Sequence, residues 1–171
     1  IFALLPLISL VFLYPLLPAR LPMHWDIHGA VTYENKTSIW LLALMGPFFS
    51  LLTWILPHID PQKRNYRKFS NSYQFFRLVL VLFTASMYLI ILTETFRPGT
   101  IHVSMLVSAL ISLLLVIIGN IMPKFRQNFF CGIKSPWTLS SKAVWEKTHR
   151  LGGRLFFFTG ILLLLLIWLP P

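Results

Sequence analysis

The sequence predicts an all-α membrane protein, a bundle of about five transmembrane helices with a short helix at the cytoplasmic interface. Of the 171 residues, 56% are hydrophobic and 12% are charged, and the mean hydropathy is +0.71. Soluble domains carry about 25% charged residues, so a water-soluble fold could not cover this much apolar surface. The apolar residues also form continuous runs, whereas the strands of a membrane barrel alternate apolar and polar positions. The third observation is an uneven distribution of basic residues between these runs.

Five apolar runs meet the length of a transmembrane helix, which needs roughly 17 to 25 residues at a rise of about 1.5 Å each. A cleaved signal peptide is the alternative for the first run, but a small-residue cleavage site is absent and prolines interrupt the region. On the fourth run Ser104, Ser108 and Ser112 recur at every fourth position, a spacing that lets helix backbones pack closely. The predicted spans cover residues 1–17, 39–56, 73–93, 101–122 and 152–169.

The basic residues indicate the orientation of the bundle, because short cytoplasmic loops accumulate Lys and Arg. The first and third loops contain Arg20, Lys36 and Arg97, so the N-terminus is predicted to be cytoplasmic and the C-terminus outside. The net charge of +10 then faces anionic membrane lipids, and direct nucleic acid binding is not needed to explain it. The other basic residues lie in or beside the second and fourth loops: Lys63, Arg64, Arg67, Lys68, Arg77, Lys124, Arg126, Lys134, Lys142, Lys147, Arg150 and Arg154.

The first outer loop contains a candidate metal site. Its prolines end the first helix and predict that the chain leaves the membrane in an extended conformation. In an extended segment His24, Asp26 and His28 point to one side, and two imidazoles with a carboxylate are a competent ligand set for zinc. A solvated loop with Trp25 anchored at the lipid interface is the alternative. No other cofactor is predicted.

The loop between the fourth and fifth runs, residues 123–151, is too long to lack structure, because unstructured loops beyond about 12 to 15 residues are uncommon. Pro136 disfavours helical backbone at Ser135. A short interfacial helix is predicted over 141–150, and the pair Gly152-Gly153 either ends it or lets the fifth helix pack closely. Three hydroxyl residues are candidate N-caps for this helix: Thr138, Ser140 and Ser141.

Two sets of residues together resemble a known family. The loop before the fifth run contributes Asn128, Gly132, Lys134, Pro136, Trp137, Thr138, Trp145, His149 and Arg150, and the outer loop contributes Leu21-Pro22-Met23-His24-Trp25-Asp26, Gly29 and Lys36. The first set resembles the signature of the SdpI-type bacterial membrane proteins. The second resembles a small domain of unknown function that often precedes that signature. On this basis residues 1–57 form an N-terminal two-span unit, and residues 58–171 form an SdpI-like three-span unit.

The resemblance implies an integral protein of the bacterial cytoplasmic membrane that acts in immunity and signal transduction and is not an enzyme. Family members are associated with protection from a secreted toxin peptide, and in some cases with relaying its presence to a cytoplasmic transcriptional repressor. The nine signature residues are then a family motif or partner-binding surface. Two features depart from the family. Lys134-Ser135 replaces the usual Arg-Thr, which removes a bidentate guanidinium, and members often have a sixth span.

Two other function classes stay open. A metal-dependent membrane hydrolase would use His24, Asp26 and His28 to activate a metal-bound water, although no general base is evident beside them. A small-molecule transporter would need ionisable groups near the bilayer midplane, and the predicted spans contain nearly none. For the 123–151 loop, a structural interfacial element and a partner-binding surface are both compatible with the sequence.

Overall fold

The computed structural model describes residues 2–26 and 30–168. Within these residues, four helices are long and apolar enough to cross a membrane, which confirms the predicted membrane helical bundle. The first predicted span instead forms a shorter helix, α1 (Leu5–Leu13), with a 3₁₀ turn at each end. Pro15 lacks a backbone N–H and cannot continue an α-helix, so the helix ends before it. The four long candidate spans are Lys36–Ile59, Lys63–Phe96, Val103–Lys124 and Lys142–Leu166.

The other elements follow α1 in chain order, and 3₁₀ turns extend α2 and α4 at their starts and α5 at its end. They are β1 (Arg20–Trp25), β2 (Val31–Asn35), α2 (Ile39–Ile59), α3 (Lys63–Tyr66), α4 (Ser70–Phe96), α5 (Val103–Ile121), α6 (Pro136–Ser140) and α7 (Lys142–Leu166).

The first outer loop is a β-hairpin. β1 pairs antiparallel with β2, and the register of this pairing shifts between Pro22 and His24. The predicted extended conformation is confirmed, but the all-α prediction did not include a pair of strands. Pro22 has no N–H to donate, and a proline within a strand is tolerated at an edge or an irregularity such as this one.

The chain forms two compact units, one made of residues 1–50 and 80–108 and the other of residues 51–79 and 109–171. In the first unit Leu21 of β1 is fully buried in one cluster with Leu10 of α1 and Ile39 of α2. Oγ of Ser9 lies 3.0 Å from the hydroxyl of Tyr88, which connects α1 to α4 by a hydrogen bond. The hairpin is therefore packed into the core of this unit through one face of β1.

The second unit has an aromatic core. The ring of Tyr66 packs edge-on against Tyr73 at 5.1 Å between centroids, and Phe69 packs against Phe125 at 5.2 Å. The Tyr73 hydroxyl donates to the carbonyl oxygen of Thr53 at 2.6 Å, which joins α4 to α2. Aromatic pairs in this geometry contribute about 0.5–1.5 kcal/mol each beyond the area that they bury. These rings therefore stabilise the protein core.

The last helix differs from the prediction. A separate helix over 141–150 and a span over 152–169 are replaced by one continuous helix, α7, of 25 residues. Ser141 is its N-cap, as predicted, and its side chain accepts from the N–H of Val144. Gly152 and Gly153 do not end the helix, because both are buried in close contacts that keep them helical. The other predicted alternative, close packing at this pair, is confirmed.

Glycines allow α5 and α7 to approach closely. A Cβ on Gly153 would lie 2.7 Å from the carbonyl oxygen of Gly119, and a Cβ on Gly160 would lie 2.6 Å from the carbonyl oxygen of Ser112. Real Cβ atoms do not approach backbone atoms this closely, so only glycine fits at these positions. Ser112, from the predicted small-residue spacing on the fourth run, thus belongs to a close helix contact, as expected for membrane helices.

A larger residue at Gly160 should destabilise the second unit. We expect Gly160→Leu to cost about 1–3 kcal/mol through overpacking, which lowers a thermal midpoint by about 2–4 °C per kcal/mol. The measurement is loss of the monodisperse peak on size-exclusion chromatography after heating in detergent. Thr159→Leu is the matched control, because Thr159 is the exposed neighbour on the same helix. Equal midpoints for the two variants would contradict the close α5–α7 contact.

Candidate functional site

The inner segment, residues 125–141, connects α5 and its following turn to α7 and contains most of the signature residues. Four signature side chains are buried: Asn128, Thr138, Trp145 and His149. The other signature residues are exposed: Gly132, Lys134, Pro136, Trp137 and Arg150. The signature therefore divides into an internal set and a surface set, and the two sets need separate explanations.

Asn128 lies inside the inner segment with none of its surface exposed. Its Oδ1 accepts from the N–H of Phe130 at 3.0 Å and of Cys131 at 2.6 Å. Its Nδ2 donates to the carbonyls of Arg126 at 2.8 Å and Cys131 at 2.9 Å. An unpaired buried polar group costs about 1–3 kcal/mol, so this one amide stabilises a turn that belongs to no helix or sheet.

Asp60 is a buried carboxylate that the sequence reasoning missed. Its Oδ1 accepts from the N–H of Gln62 at 2.7 Å, and its Oδ2 accepts from the hydroxyl of Tyr66 at 3.1 Å and the N–H of Phe129 at 2.9 Å. Three donors stabilise the buried charge and join the end of α2 to the inner segment. The available signal was a lone acidic residue directly before a proline in a strongly basic loop.

Trp145 and His149 pack as a stacked pair, 3.9 Å between ring centroids with an interplanar angle of 19°. Nε1 of Trp145 donates to the carbonyl of Phe125 at 2.9 Å. Nε2 of His149 accepts from the N–H of Ile133 at 3.0 Å, and Nδ1 lies 2.9 Å from the carbonyl of Trp145. A carbonyl can only accept, so Nδ1 carries the proton and the ring is neutral. In this arrangement His149 positions the backbone and has no proton to donate from Nε2.

Gly132 lies directly against this imidazole. Its φ of +117° is in the region that favours glycine, and a Cβ at this position would collide with Nε2 of His149. The glycine of the signature is thus required twice, once by backbone conformation and once by the approach of the ring.

Thr138 and Ser135 together cap the N-terminus of the short helix α6. Ser135 has extended backbone, as Pro136 predicts, and its Oγ accepts from the N–H of Thr138 at 3.3 Å while Oγ1 of Thr138 accepts from the N–H of Ser135 at 2.8 Å. This reciprocal pair is a capping box. Nε2 of Gln127 donates to the carbonyls of Thr138 and Leu139 at 2.9 and 2.6 Å, which attaches α6 to the preceding turn.

The exposed signature residues have few internal contacts. Trp137 leaves 72% of its surface exposed, and Nζ of Lys134 donates to the carbonyl of Phe130 at 3.2 Å. A single carbonyl is satisfied by an ammonium as well as by a guanidinium, so this contact does not need the bidentate arginine of the family. Arg150 is exposed on α7. A partner would meet these side chains first.

The proposed zinc ligands of the outer loop are only partly described. His28 lies outside the described residues. Asp26 accepts from the N–H of Ala30 at 2.8 Å, and Nδ1 of His24 lies 4.0 Å from a carboxylate oxygen of Glu34. Across residues 2–26 and 30–168, no three His, Cys, Asp or Glu side chains converge as metal ligands. Zinc binding by His24, Asp26 and His28 stays a prediction.

Cys131 is the lone cysteine of the chain and is buried in the inner segment. Burial raises the pKa of its thiol to about 11, and the nearby Lys134 only partly opposes this. Since the thiolate is the reactive form, Cys131 should be nearly inert toward alkylation while the inner segment is folded.

The hydropathy and the helix packing define a polytopic helical membrane protein with an ordered segment before its last helix. Residues 124–170 match the model of the SdpI/YfhL protein family, and residues 1–46 match the domain of unknown function DUF1648. The first match contains the inner segment and α7, and the second contains the hairpin. These matches confirm the predicted resemblance to the SdpI-type family.

A relative extends the similarity along the chain. Over 163 residues the chain is 22% identical to the immunity protein SdpI of Bacillus subtilis (strain 168), and the match covers 95% of this chain and 76% of that protein. No solved structure matches the chain significantly.

Alanine at Gly132 should open the inner segment. The substitution combines a strained φ with displacement of the His149 ring, so we expect about 1–3 kcal/mol of local destabilisation. Maleimide labelling of Cys131 in detergent at pH 7 should therefore become about tenfold faster than in the wild type. The lone cysteine makes this signal unambiguous.

Gly99→Ala is the matched control for this experiment. Gly99 also has a positive φ, +74°, but a Cβ there would meet no atom of the described residues within 4 Å. Labelling of Cys131 should stay at the wild-type rate in this variant. Equal rates in all three proteins would contradict the contact between Gly132 and His149.

Proposed function

We propose that this protein is an immunity-type membrane protein that protects its cell from a secreted antimicrobial peptide. The observation that carries the proposal is the similarity to the immunity protein SdpI over 95% of the chain. That similarity covers both the hairpin of the first unit and the inner segment of the second. It supports one function for the whole chain.

The first unit has a cavity suited to an apolar ligand. It has a volume of about 470 Å³ and is lined by β1, α2, α4 and α5, with Trp25, Ile91 and Val107 among its walls. His24 and Asp26 also border it and supply a polar end. Ligand sites of this size are usually lined by apolar side chains with a few polar groups that fix orientation. We propose that the toxin peptide inserts an apolar side chain here.

The inner segment is proposed to contact a cytoplasmic transcriptional repressor. Trp137 supports this, because large exposed aromatic side chains are the commonest anchors of protein interfaces, and Lys134 lies three residues before it. Signal relay also requires that the toxin bind two arrangements of the helices with different affinity. The protein is proposed to lie in a bacterial cytoplasmic membrane with its N-terminus inside.

Protection can be tested in a Bacillus subtilis strain that lacks its own SdpI. The strain expressing this chain should survive culture supernatant of the parental strain better than the strain with an empty vector. We also propose that protection depends on the partner contact of the inner segment, so Trp137→Ala, which removes the exposed aromatic anchor, should reduce survival at equal membrane abundance. Trp168→Ala is the matched control, since Trp168 is similarly exposed but follows the far end of α7, away from the inner segment.

Two results would count against this proposal. Survival no better than the empty vector, with the chain present in the membrane, would remove protection from this toxin. Equal survival with Trp137→Ala and wild type would remove the inner segment from the protective mechanism.

Orientation can be tested by cysteine labelling. Trp137→Cys should react with a membrane-impermeant maleimide in inside-out vesicles and stay unlabelled in intact cells, because the twelve basic residues on this side predict that it faces the cytoplasm. Tyr33→Cys, on the exposed side of β2, should show the opposite pattern. The buried Cys131 contributes little background. The reverse pattern for the two variants would overturn the proposed topology.

A further inference from the structure

Two adjoining clefts lie on the second unit. The first has a volume of about 400 Å³ and the second about 500 Å³. Lys68 and Arg126 line both clefts, so the two adjoin at these side chains and are together termed the depression. Asn65 and Gln127 contribute to the first cleft, and Ser70 contributes to the second.

The depression is strongly positive. Its cations are Arg67, Lys68, Lys124, Arg126 and Lys142, and its one carboxylate is Glu146. Nη1 of Arg126 lies 3.3 Å from Glu146, so this acid is already used by one of the cations. These cations repel each other, which raises the energy of the free protein. Such clustering of one charge is typical of a site that binds a ligand of the opposite charge.

The cations lie at the ends of the candidate spans. Lys124 is the last residue of one span and Lys142 is the first residue of another, while Lys68 lies in the first two turns of a third. Lipid phosphate groups occupy this level at the membrane surface. The position therefore favours a phosphate carried by a lipid over a free phosphate ion.

The walls of the depression are held in place by hydrogen bonds. Nδ2 of Asn65 donates to the carbonyl of Gln127 at 2.8 Å, and Nζ of Lys68 donates to Oδ1 of Asn65 at 3.2 Å. The Trp145 indole, which lines the first cleft, is fixed by its bond to Phe125. An oriented wall distinguishes this depression from the diffuse attraction that scattered surface lysines exert on a membrane.

We propose that this depression is a binding site for the phosphate headgroup of an anionic phospholipid. Lys68 and Arg126 contact the phosphate, because both clefts share them. Arg126 presents a planar guanidinium whose N–H groups other than those of Nη1, which bonds Glu146, can donate to a phosphate, and Lys124 and Lys142 supply flanking charge. Because the cations are distributed over both clefts, a headgroup with two phosphates would meet more positive charge than a headgroup with one.

The test uses the full chain purified in a neutral detergent. Native mass spectrometry measures the apparent dissociation constant for phosphatidylglycerol, with phosphatidylcholine and inorganic phosphate as separate arms. We expect phosphatidylglycerol to bind, and phosphatidylcholine and inorganic phosphate to bind at least about tenfold more weakly. A lipid with two phosphates, cardiolipin, should bind more tightly than phosphatidylglycerol.

The site is located with two double variants of equal charge. Lys68→Gln with Lys124→Gln should weaken phosphatidylglycerol binding about tenfold. Lys63→Gln with Lys147→Gln is the matched control, because both lysines are exposed but line neither cleft, and it should change binding less than twofold. Lys68→Arg with Lys124→Arg keeps the charge and should keep the affinity even if the Gln pair perturbs the fold.

Three results would overturn the proposal. Equal losses in the two Gln pairs would show attraction by net charge alone, without a site. Equal binding of inorganic phosphate and phosphatidylglycerol would show a free-anion site and remove the lipid. Binding of phosphatidylcholine as tight as that of phosphatidylglycerol would show that the net negative charge of the lipid headgroup is not recognised.

Discussion

Asn128 supplies one side-chain amide to backbone groups on both sides of a turn, and the shape of the inner segment depends on it. The segment lies beside apolar helices and has no ladder to satisfy its backbone, so each unpaired N–H or carbonyl would cost about 1–3 kcal/mol. Asp60 performs the same role at the next residue by accepting the N–H of Phe129. Without these two acceptors, the turn between α5 and α7 could not stay buried.

This dependence separates scaffold from surface within the family signature. Asn128, Gly132, Thr138 and His149 are accounted for by backbone satisfaction and close packing, so their presence gives no information about a ligand. Trp137 has no comparable internal role, because most of its surface is exposed. The buried signature residues thus have a structural role, and a partner-binding role is proposed only for the exposed ones.

The sequence alone predicted the features that depend on residues close together along the chain, such as hydropathy and helix capping. Hydropathy predicted the long helices, Pro136 predicted the extended backbone at Ser135, and Ser141 was among the predicted N-caps of α7, whereas the short helix α6 was not predicted. Features that depend on contacts between residues distant in sequence could not be predicted from the sequence. Gly152 reads as a helix end because glycine favours chain reversal, yet close packing keeps it helical. Asp60 lies far from the signature in sequence, so its bond to the inner segment could not be foreseen.

The continuity of α7 constrains how the second unit could relay a signal. One helix carries His149, which touches Gly132, and also Gly153 and Gly160, which touch α5 at the limit of backbone approach. No gradual shift of α7 toward α5 is possible, because the backbones of the two helices are already in close contact at these glycines. A relay would therefore move α7 away from α5 or rotate it, and His149 would then lose its bond to Ile133. Such a transition has two discrete states, as expected for packed elements. The conformation of the inner segment would change when the contact between α5 and α7 separates.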